Sequence, residues 1–370
     1  MSPDVALIIG TRPEAVKLAP IARSLAARQR DFEILLTAQH RSLLDQTLGV
    51  FDLSGDLDLD LMRADQALSD FAARALASLG ETFRARRPSL VLVQGDTSTV
   101  FCAALAAFYE GIPVGHVEAG LRSFDMAHPF PEEGNRLLTS RLSSLHFAPT
   151  ERAKGNLLAE GIDEEGIFVT GNTVVDSLNF MALRLKEQKG SSAISSILER
   201  ARPLLLVTAH RRENFGEPMR RIFSALCKIA RKRPEVDIVY PVHPNPRVKL
   251  MAKELLAQEE NVHLLPPLHY LDFLTLMSRA RLCLTDSGGV QEEAPSFGLP
   301  LLVLRETTER PEGIEAGCAE LLGSDEDRIE SRALELLDRE KIEMPANPYG
   351  DGKAAERVAD AIDGFLSCSK

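Results

Sequence analysis

LVLVQGDTSTVFCAALAAFYEGIPVGHV, residues 90–117, holds the repeating grammar of the chain. Leu90–Gln94 is a short apolar, β-branched run that stops at Gly95-Asp96-Thr97, a turn able to cap the helix behind it. A second short run, Pro113–Val117, follows. Near-continuous apolar strands with helices between them belong to parallel sheets covered on both faces. Working outward, the first half adds strand-like runs at Val5–Ile9, Phe32–Leu36, Leu145–Pro149 and Ile167–Thr170. The second half repeats the pattern at Leu204–Thr208, Val236–Val242, Val262–Leu265, Leu282–Thr285, Leu301–Leu304 and Ala319–Leu322. About six strands per half are too many for one sheet. The expectation is an α/β protein of two doubly wound, Rossmann-like domains facing a central cleft. They span residues 1–175 and 176–352, with the boundary in the polar region between Thr170 and Arg202. Residues 353–370 form an amphipathic helix (Ala354, Val358, Ile362, Phe365) that packs back on the body.

The 370-residue length agrees with two domains. A net charge of −11 argues against a sequence-blind nucleic-acid binder, but a local cationic pocket for an anionic ligand remains open. No apolar run reaches the ~18 residues of a membrane span, and no basic flank precedes the short apolar run near the N-terminus. Cys102, Cys227, Cys283, Cys318 and Cys368 are odd in number and form no CxxC, which reads as reduced thiols of a cytoplasmic protein without a zinc site. No GxGxxG follows the first strand, so a nicotinamide cofactor is unsupported. The expected cofactor and metal content is none.

Ligands of such sheets bind beyond the carboxyl ends of strands, so each strand's continuation matters. Gly10-Thr11-Arg12-Pro13-Glu14, with Lys17 further along the helix, reads either as an anion site or as a capped helix with solvated cations. Asp96 is a cap or a functional acid. Glu118, after the buried run ending at Val117, needs a partner. Glu132 and Glu133 sit in the first turn of a helix opened by Pro131. They offset its dipole, pair as Glu132–Arg136, or add a second carboxylate for acid–base work. The second half places His210-Arg211-Arg212-Glu213 at its first strand end and His243 in a proline-rigid loop. Asp286-Ser287-Gly288-Gly289 form a turn before a helix starting near Val290. That turn suits close backbone approach to phosphate, with Glu293 placed to accept from ribose hydroxyls and Arg310 as a further cation. GNTVVDSL, residues 171–178, reads as an interdomain turn.

The run of GTRPEAVKLAP, TAQHRSLLDQTL, QGDTSTV, GHVEAGLRS, PFPEEGNR, TGNTVVDSL, TAHRRENFGEP, YPVHPNP, TDSGGVQEEAPSFGLP, RETTERPEG and NPYGDGKAAER, in order from residue 10 to about 357, resembles the non-hydrolysing UDP-N-acetylglucosamine 2-epimerases. The resemblance implies the GT-B-type fold shared with glycosyltransferases, a homodimer, and no metal or nicotinamide. It implies C2 epimerisation of UDP-N-acetylglucosamine to UDP-N-acetylmannosamine, by elimination of UDP to 2-acetamidoglucal and re-addition, supplying activated sugar for cell-surface polysaccharide. By motif, Asp96, Glu118, Glu132 and His210 match the catalytic set. Arg12, Lys17, Phe273, Ser287, Gly288, Gly289, Glu293 and Arg310 match the UDP-binding set. Gln39, His40, Arg211 and Glu213 fit a second, activating UDP-sugar site, whereas Ser42 and Asp65 depart from the Gln and Arg of some activated members. Three other readings stay open on the residues: a glycosyltransferase of this fold, a UDP-sugar-binding protein without turnover, and a hydrolysing epimerase.

Overall fold

The structure is a computed structural model and describes residues 2–37, 41–63, 66–187, 191–340 and 342–368. It divides into two compact units, Met1–Asn179 with Tyr349–Lys370, and Phe180–Pro348. The first division falls inside a helix, and the second returns the C-terminal segment to the first unit.

The first unit alternates β1 (Val5–Ile9), α1 (Arg12–Ala27), β2 (Phe32–Leu36), α2 (Arg41–Val50), β3 (Leu57–Asp58), α3 (Leu68–Arg86), β4 (Leu90–Gln94), α4 (Ser98–Tyr109), β5 (Val114–Val117), α5 (Glu132–Leu142), β6 (Leu145–Ala148), α6 (Glu151–Ala159), β7 (Ile167–Val169) and α7 (Thr173–Glu187). Its seven strands are all parallel, in the order β3-β2-β1-β4-β5-β6-β7. The two-residue β3 was not anticipated, because two residues carry no alternation to read. Strands β1 and β4 are buried along their whole length, as a sheet covered on both faces requires. The order reverses between β1 and β4, and this switch point sets Gly10–Arg12 beside Gly95–Thr97 at the carboxyl edge.

The second unit continues with α8 (Ser192–Leu198), β8 (Leu204–Thr208), α9 (Glu217–Lys232), β9 (Asp237–Pro241), α10 (Pro246–Leu256), β10 (Val262–Leu265), α11 (Tyr270–Arg279), β11 (Leu282–Thr285), α12 (Gly288–Glu293), β12 (Leu301–Val303), α13 (Pro311–Glu315), β13 (Ala319–Leu321) and α14 (Glu326–Asp338). Six parallel strands run β10-β9-β8-β11-β12-β13. The switch point lies between β8 and β11, whose final residues Thr208 and Thr285 are register partners with hydroxyls 2.6 Å apart. The polar stretch between the halves contains α8, whose Ile194 and Ile197 are buried. The serines around them mask a two-residue apolar face. The segment expected to be an interdomain turn, residues 171–178, is instead the start of α7: Asn172 precedes it and its side chain accepts from Val174 N at 3.0 Å.

Helix α15 (Ala354–Cys368) packs on α1 of the first unit through buried Ala355, Val358, Ala359 and Ile362. Arg28 and Arg30 of the α1–β2 connection pair with Asp363 at 2.9 and 2.5 Å. Asp176 of α7 accepts from Ala354 N at 3.2 Å and Ala355 N at 2.9 Å, satisfying the first donors of α15. We predict that Asp176→Ala lowers unfolding free energy by about 1–2 kcal/mol, the usual effect of losing a helix cap. Urea denaturation would read the shift, and protease should then cut first near residues 349–353.

Candidate active site

In the first unit the strand-end segments converge through one set of polar contacts. Glu118 follows β5 in the left-handed region, with φ 65°, a conformation unusual for a non-glycine residue and concentrated at functional sites. It is buried, and Lys17 of α1 pairs with its Oε2. Asn172 Nδ2 donates to the same oxygen at 3.1 Å. Lys17 is the sixth residue of α1, so the second turn of that helix carries its ammonium from the β1 end to Glu118 at the β5 end.

Asp96 lies beyond β4. Its Oδ2 receives Arg136 Nη2 at 2.5 Å, and its backbone carbonyl receives Asn135 Nδ2 at 2.8 Å. Arg136 also donates to Glu133 Oε2 at 3.0 Å, while Glu133 accepts from Ser123 N and Phe124 N at 3.1 and 3.0 Å. Of the readings open for this turn, the Glu132–Arg136 pair is not formed; Arg136 pairs with Glu133 instead, which a spacing of three puts on the buried side of α5. Glu132 is left half-buried, with Oε2 enclosed and without a hydrogen-bond partner among the described residues. A carboxylate oxygen in that state is suited to receive a ligand's proton or hydroxyl.

Glu14, which the sequence offered as part of an anion site or of a capped helix, is a clamp at the switch point. It accepts from Gly10 N at 2.5 Å, Thr11 N at 3.0 Å and Thr97 Oγ1 at 2.7 Å, tying the β1 turn to the β4 turn that carries Asp96. Burial pushes its carboxyl up to about 7, against the hydrogen bonds from Thr97, Gly10 and Thr11. Gly10 is packed so closely that a Cβ would meet Thr37 Oγ1 and Thr99 Oγ1 at 2.6 Å. His116 lies within β5 and is fully buried. Its Nε2 is 2.8 Å from the carbonyl of Gly95, steadying the residue before Asp96. Burial drives His116 down to about 3 and its register partner His146 down to about 4. Arg12 is exposed at the start of α1.

In the second unit, Asp286 is fully buried at the end of β11. Its Oδ2 accepts from His210 N at 2.7 Å, Arg211 N at 2.8 Å and Asn214 Nδ2 at 3.0 Å. His210 Nδ1 stands 3.2 Å from Asp286 Oδ1, and its ring stacks on His243 with centroids 5.2 Å apart. Burial and the neighbouring His210 lower the pKa of His243. Thr285 Oγ1 accepts from Ser287 N at 3.0 Å and sets the turn. Helix α12 begins at Gly288, two residues earlier than expected.

Neither Gly288 nor Gly289 has positive φ, so what each glycine supplies here is the absence of a side chain. At Gly288 a Cβ would sit 2.6 Å from Arg310 Nη1; at Gly289 the space is open apart from Ser287 Oγ at 4.0 Å. The first glycine admits a guanidinium, and the second leaves the backbone uncovered. Glu293, expected to face a ribose, ends α12, and its Oε1 accepts from Tyr270 Oη at 2.8 Å. Phe273 on α11 is half-buried and packs in the apolar cluster that includes Leu268 and Val290. Arg211 is half-buried, with Nε lacking a partner among the described residues, and Glu213 pairs with Arg305 at 2.7 Å. Gln39, His40 and Asp65 lie outside the described residues.

A model of the family described as UDP-N-acetylglucosamine 2-epimerase matches residues 23–363. A UDP-N-acetylglucosamine 2-epimerase of Campylobacter jejuni is 44% identical over 98% of this chain and 98% of its own length. One of Bacillus subtilis (strain 168) is 46% identical over 97% and 94%.

The chain belongs to the UDP-N-acetylglucosamine 2-epimerase family.

Solved members have the same fold. The enzyme of Neisseria meningitidis, bound to UDP-GlcNAc, superposes with a TM-score of 0.91 at 43% identity, covering 97% of this chain and 99% of that one. The enzyme of Methanocaldococcus jannaschii, in complex with UDP-GlcNAc and UDP, gives 0.85 at 36% identity, covering 97% and 99%. The glycotransferase of kitacinnamycin gives 0.62 at 13% identity and 99% coverage of both chains, a likeness of fold alone that agrees with the GT-B-type class. The contacts of Asn172 with Glu118 and of Tyr270 with Glu293 carry no signal in the sequence. Glu118's need for a partner was readable, but the partner's identity was not.

The buried titrating groups predict opposite pH slopes. Glu14 holds its proton more tightly when folded, so its contribution is complete below about 4.5 and fades as pH rises through about 7, by up to about 3 kcal/mol. His146 resists protonation when folded, so its contribution is complete above about 6.5 and is lost as pH falls toward 4. Denaturation from pH 4 to 8 should show Glu14→Gln flattening the alkaline-side decline and His146→Phe flattening the acid-side decline. Parallel wild-type and variant curves would contradict both assignments.

Proposed function

We propose that this protein interconverts UDP-N-acetylglucosamine and UDP-N-acetylmannosamine without hydrolysing the sugar from UDP. A base takes the C2 proton, and the C2–H electron pair forms the C1–C2 double bond. UDP departs from C1 with the glycosidic pair, leaving 2-acetamidoglucal. Re-addition returns UDP to C1 while a proton reaches C2 from the opposite face. The proton carriers are drawn from Asp96, Glu118 and Glu132, with His210 assisting at the leaving phosphate. The observation that carries this reading is Glu118: a buried carboxylate on left-handed backbone, paired with Lys17 and Asn172, in a chain matching UDP-N-acetylglucosamine 2-epimerases over nearly its full length. Arg12, Lys17, Phe273, Ser287, Gly288, Gly289, Glu293 and Arg310 bind UDP. Support comes from the cation held at Gly288 and the uncovered backbone at Gly289. Arg211 and Glu213, with Gln39 and His40, form a second UDP-sugar site.

The protein acts as a cytoplasmic homodimer that provides the manno sugar for cell-surface polysaccharide. No helix among the described residues is long and apolar enough to cross a membrane. Phe108 and Tyr109 of α4 and Leu138 of α5 are 57%, 66% and 50% exposed on two helices that pack together, a surface fit for a second copy.

Two outcomes follow. Turnover in D₂O should place deuterium at C2 of the product, and Glu118→Gln and Glu132→Gln should each slow turnover ~10²–10⁴-fold with far smaller changes in UDP affinity. Product without solvent deuterium, or wild-type rates in both variants, would remove the carboxylates from the reaction. Sedimentation velocity should give a dimer that Tyr109→Glu shifts toward monomer; a wild-type monomer at micromolar concentration would exclude this interface.

A further inference from the structure

Along the strand ends of the second unit runs a chain of charges, buried except at Glu213, whose central members Arg305 and Glu309 have no part in the reaction scheme. Arg305, just after β12, is buried with two carboxylates on it: Nε donates to Glu213 Oε1 at 2.7 Å and Nη1 to Glu309 Oε2 at 2.8 Å. The other oxygen of Glu309 pairs with Arg310 Nη1, and Arg310 Nε donates to Glu292 Oε1 at 2.6 Å. Glu213, Arg305, Glu309, Arg310 and Glu292 thus alternate in sign from the turn after His210 to the guanidinium packed on Gly288. The same strand end also holds that turn directly, since Asn214 Nδ2 donates both to Leu304 O at 3.0 Å and to Asp286 Oδ2 at 3.0 Å.

We propose that Arg305 is a positioning residue for epimerisation: its two-armed guanidinium fixes the His210–Asn214 turn through Glu213 and Arg310 through Glu309, so that the leaving-group histidine and the phosphate-binding arginine share one anchor. The planar fork matters more than the charge. A lysine presents a point charge and cannot hold two carboxylates in two fixed directions. Because misplacement by an ångström at a site can lower a rate by about 10²-fold, loss of the fork is felt in turnover as well as in affinity. The inference rests on the reading that Arg310 binds UDP and His210 serves the leaving phosphate.

The test measures kcat, KM for UDP-N-acetylglucosamine, UDP affinity by calorimetry and thermal stability for three variants. Arg305→Lys keeps the charge and should lower kcat about 10- to 100-fold while also weakening UDP several-fold. Glu213→Gln, at the partly exposed end of the chain, should lower kcat even at saturating UDP-N-acetylglucosamine, with a smaller loss of UDP affinity than Glu309→Gln gives. Glu309→Gln should weaken UDP more than it lowers kcat. The Arg305→Lys/Glu213→Gln pair should lose no more kcat than Arg305→Lys does, because both act through one contact. Arg305→Lys with wild-type kcat and UDP affinity, whatever its melting temperature, would overturn the proposal, as would kcat effects that multiply in the pair. If Arg305→Lys fails to fold, a folded Glu213→Gln with wild-type kcat overturns it equally. A wild-type protein that binds no UDP would instead refute the proposed function.

Discussion

A carboxylate buried at the end of an apolar strand is the constraint on which the first unit is built. Leaving Glu118 uncompensated in that environment would be worth several kcal/mol of instability. Lys17 and Asn172 remove the penalty, and each comes from a different part of the chain. To bring Lys17 there, α1 must start immediately after β1, which Pro13 and the Glu14 cap ensure. To bring Asn172 there, β7 must end beside β6. One ion pair and one amide contact therefore tie the ends of β1, β5 and β7 together and hold the Glu118 carboxylate in a fixed position.

The second unit solves a comparable problem at its own switch point. Asp286 is the buried acid at its strand end, and it is satisfied by two backbone N–H groups and Asn214 rather than by a lysine. Its effect is to fold the turn after β8 back over β11, which presents His210 and sets it against His243. In both units a strand-end carboxylate does structural work first, and the orientation of the neighbouring chemistry follows from it. Glu14 extends the pattern: by gripping Gly10, Thr11 and Thr97 together it fixes the Asp96 turn without reaching toward a ligand itself.

Much of this was legible in the residues. The apolar runs gave twelve of the strands, most plainly those buried along their length such as β1, β4, β5 and β11, which need no alternation to be seen; β3, at two residues, gave no such signal. Helix α15 was visible through Val358 and Ile362 at helical spacing. Local chemistry was legible where a polar residue interrupted an apolar run, as at Asp96 and Glu118. Pairing across the sheet was not. Arg136 could be matched by spacing to Glu132 as well as to Glu133, and only the burial of one face of α5 decides between them. Asn172 looked like a turn residue because nothing nearby in sequence shows that it meets Glu118. The two glycines at residues 288 and 289 looked equivalent, yet one accommodates Arg310 and the other leaves open space.

The most direct measurement is proton and phosphorus NMR of UDP-N-acetylglucosamine mixed with the purified protein and no acceptor, metal or nicotinamide added. A manno-configured UDP-sugar should appear and approach a constant ratio with the starting compound, with the pyrophosphate resonances of a nucleotide sugar retained. An unchanged spectrum, or accumulation of UDP with free N-acetylmannosamine, would contradict it.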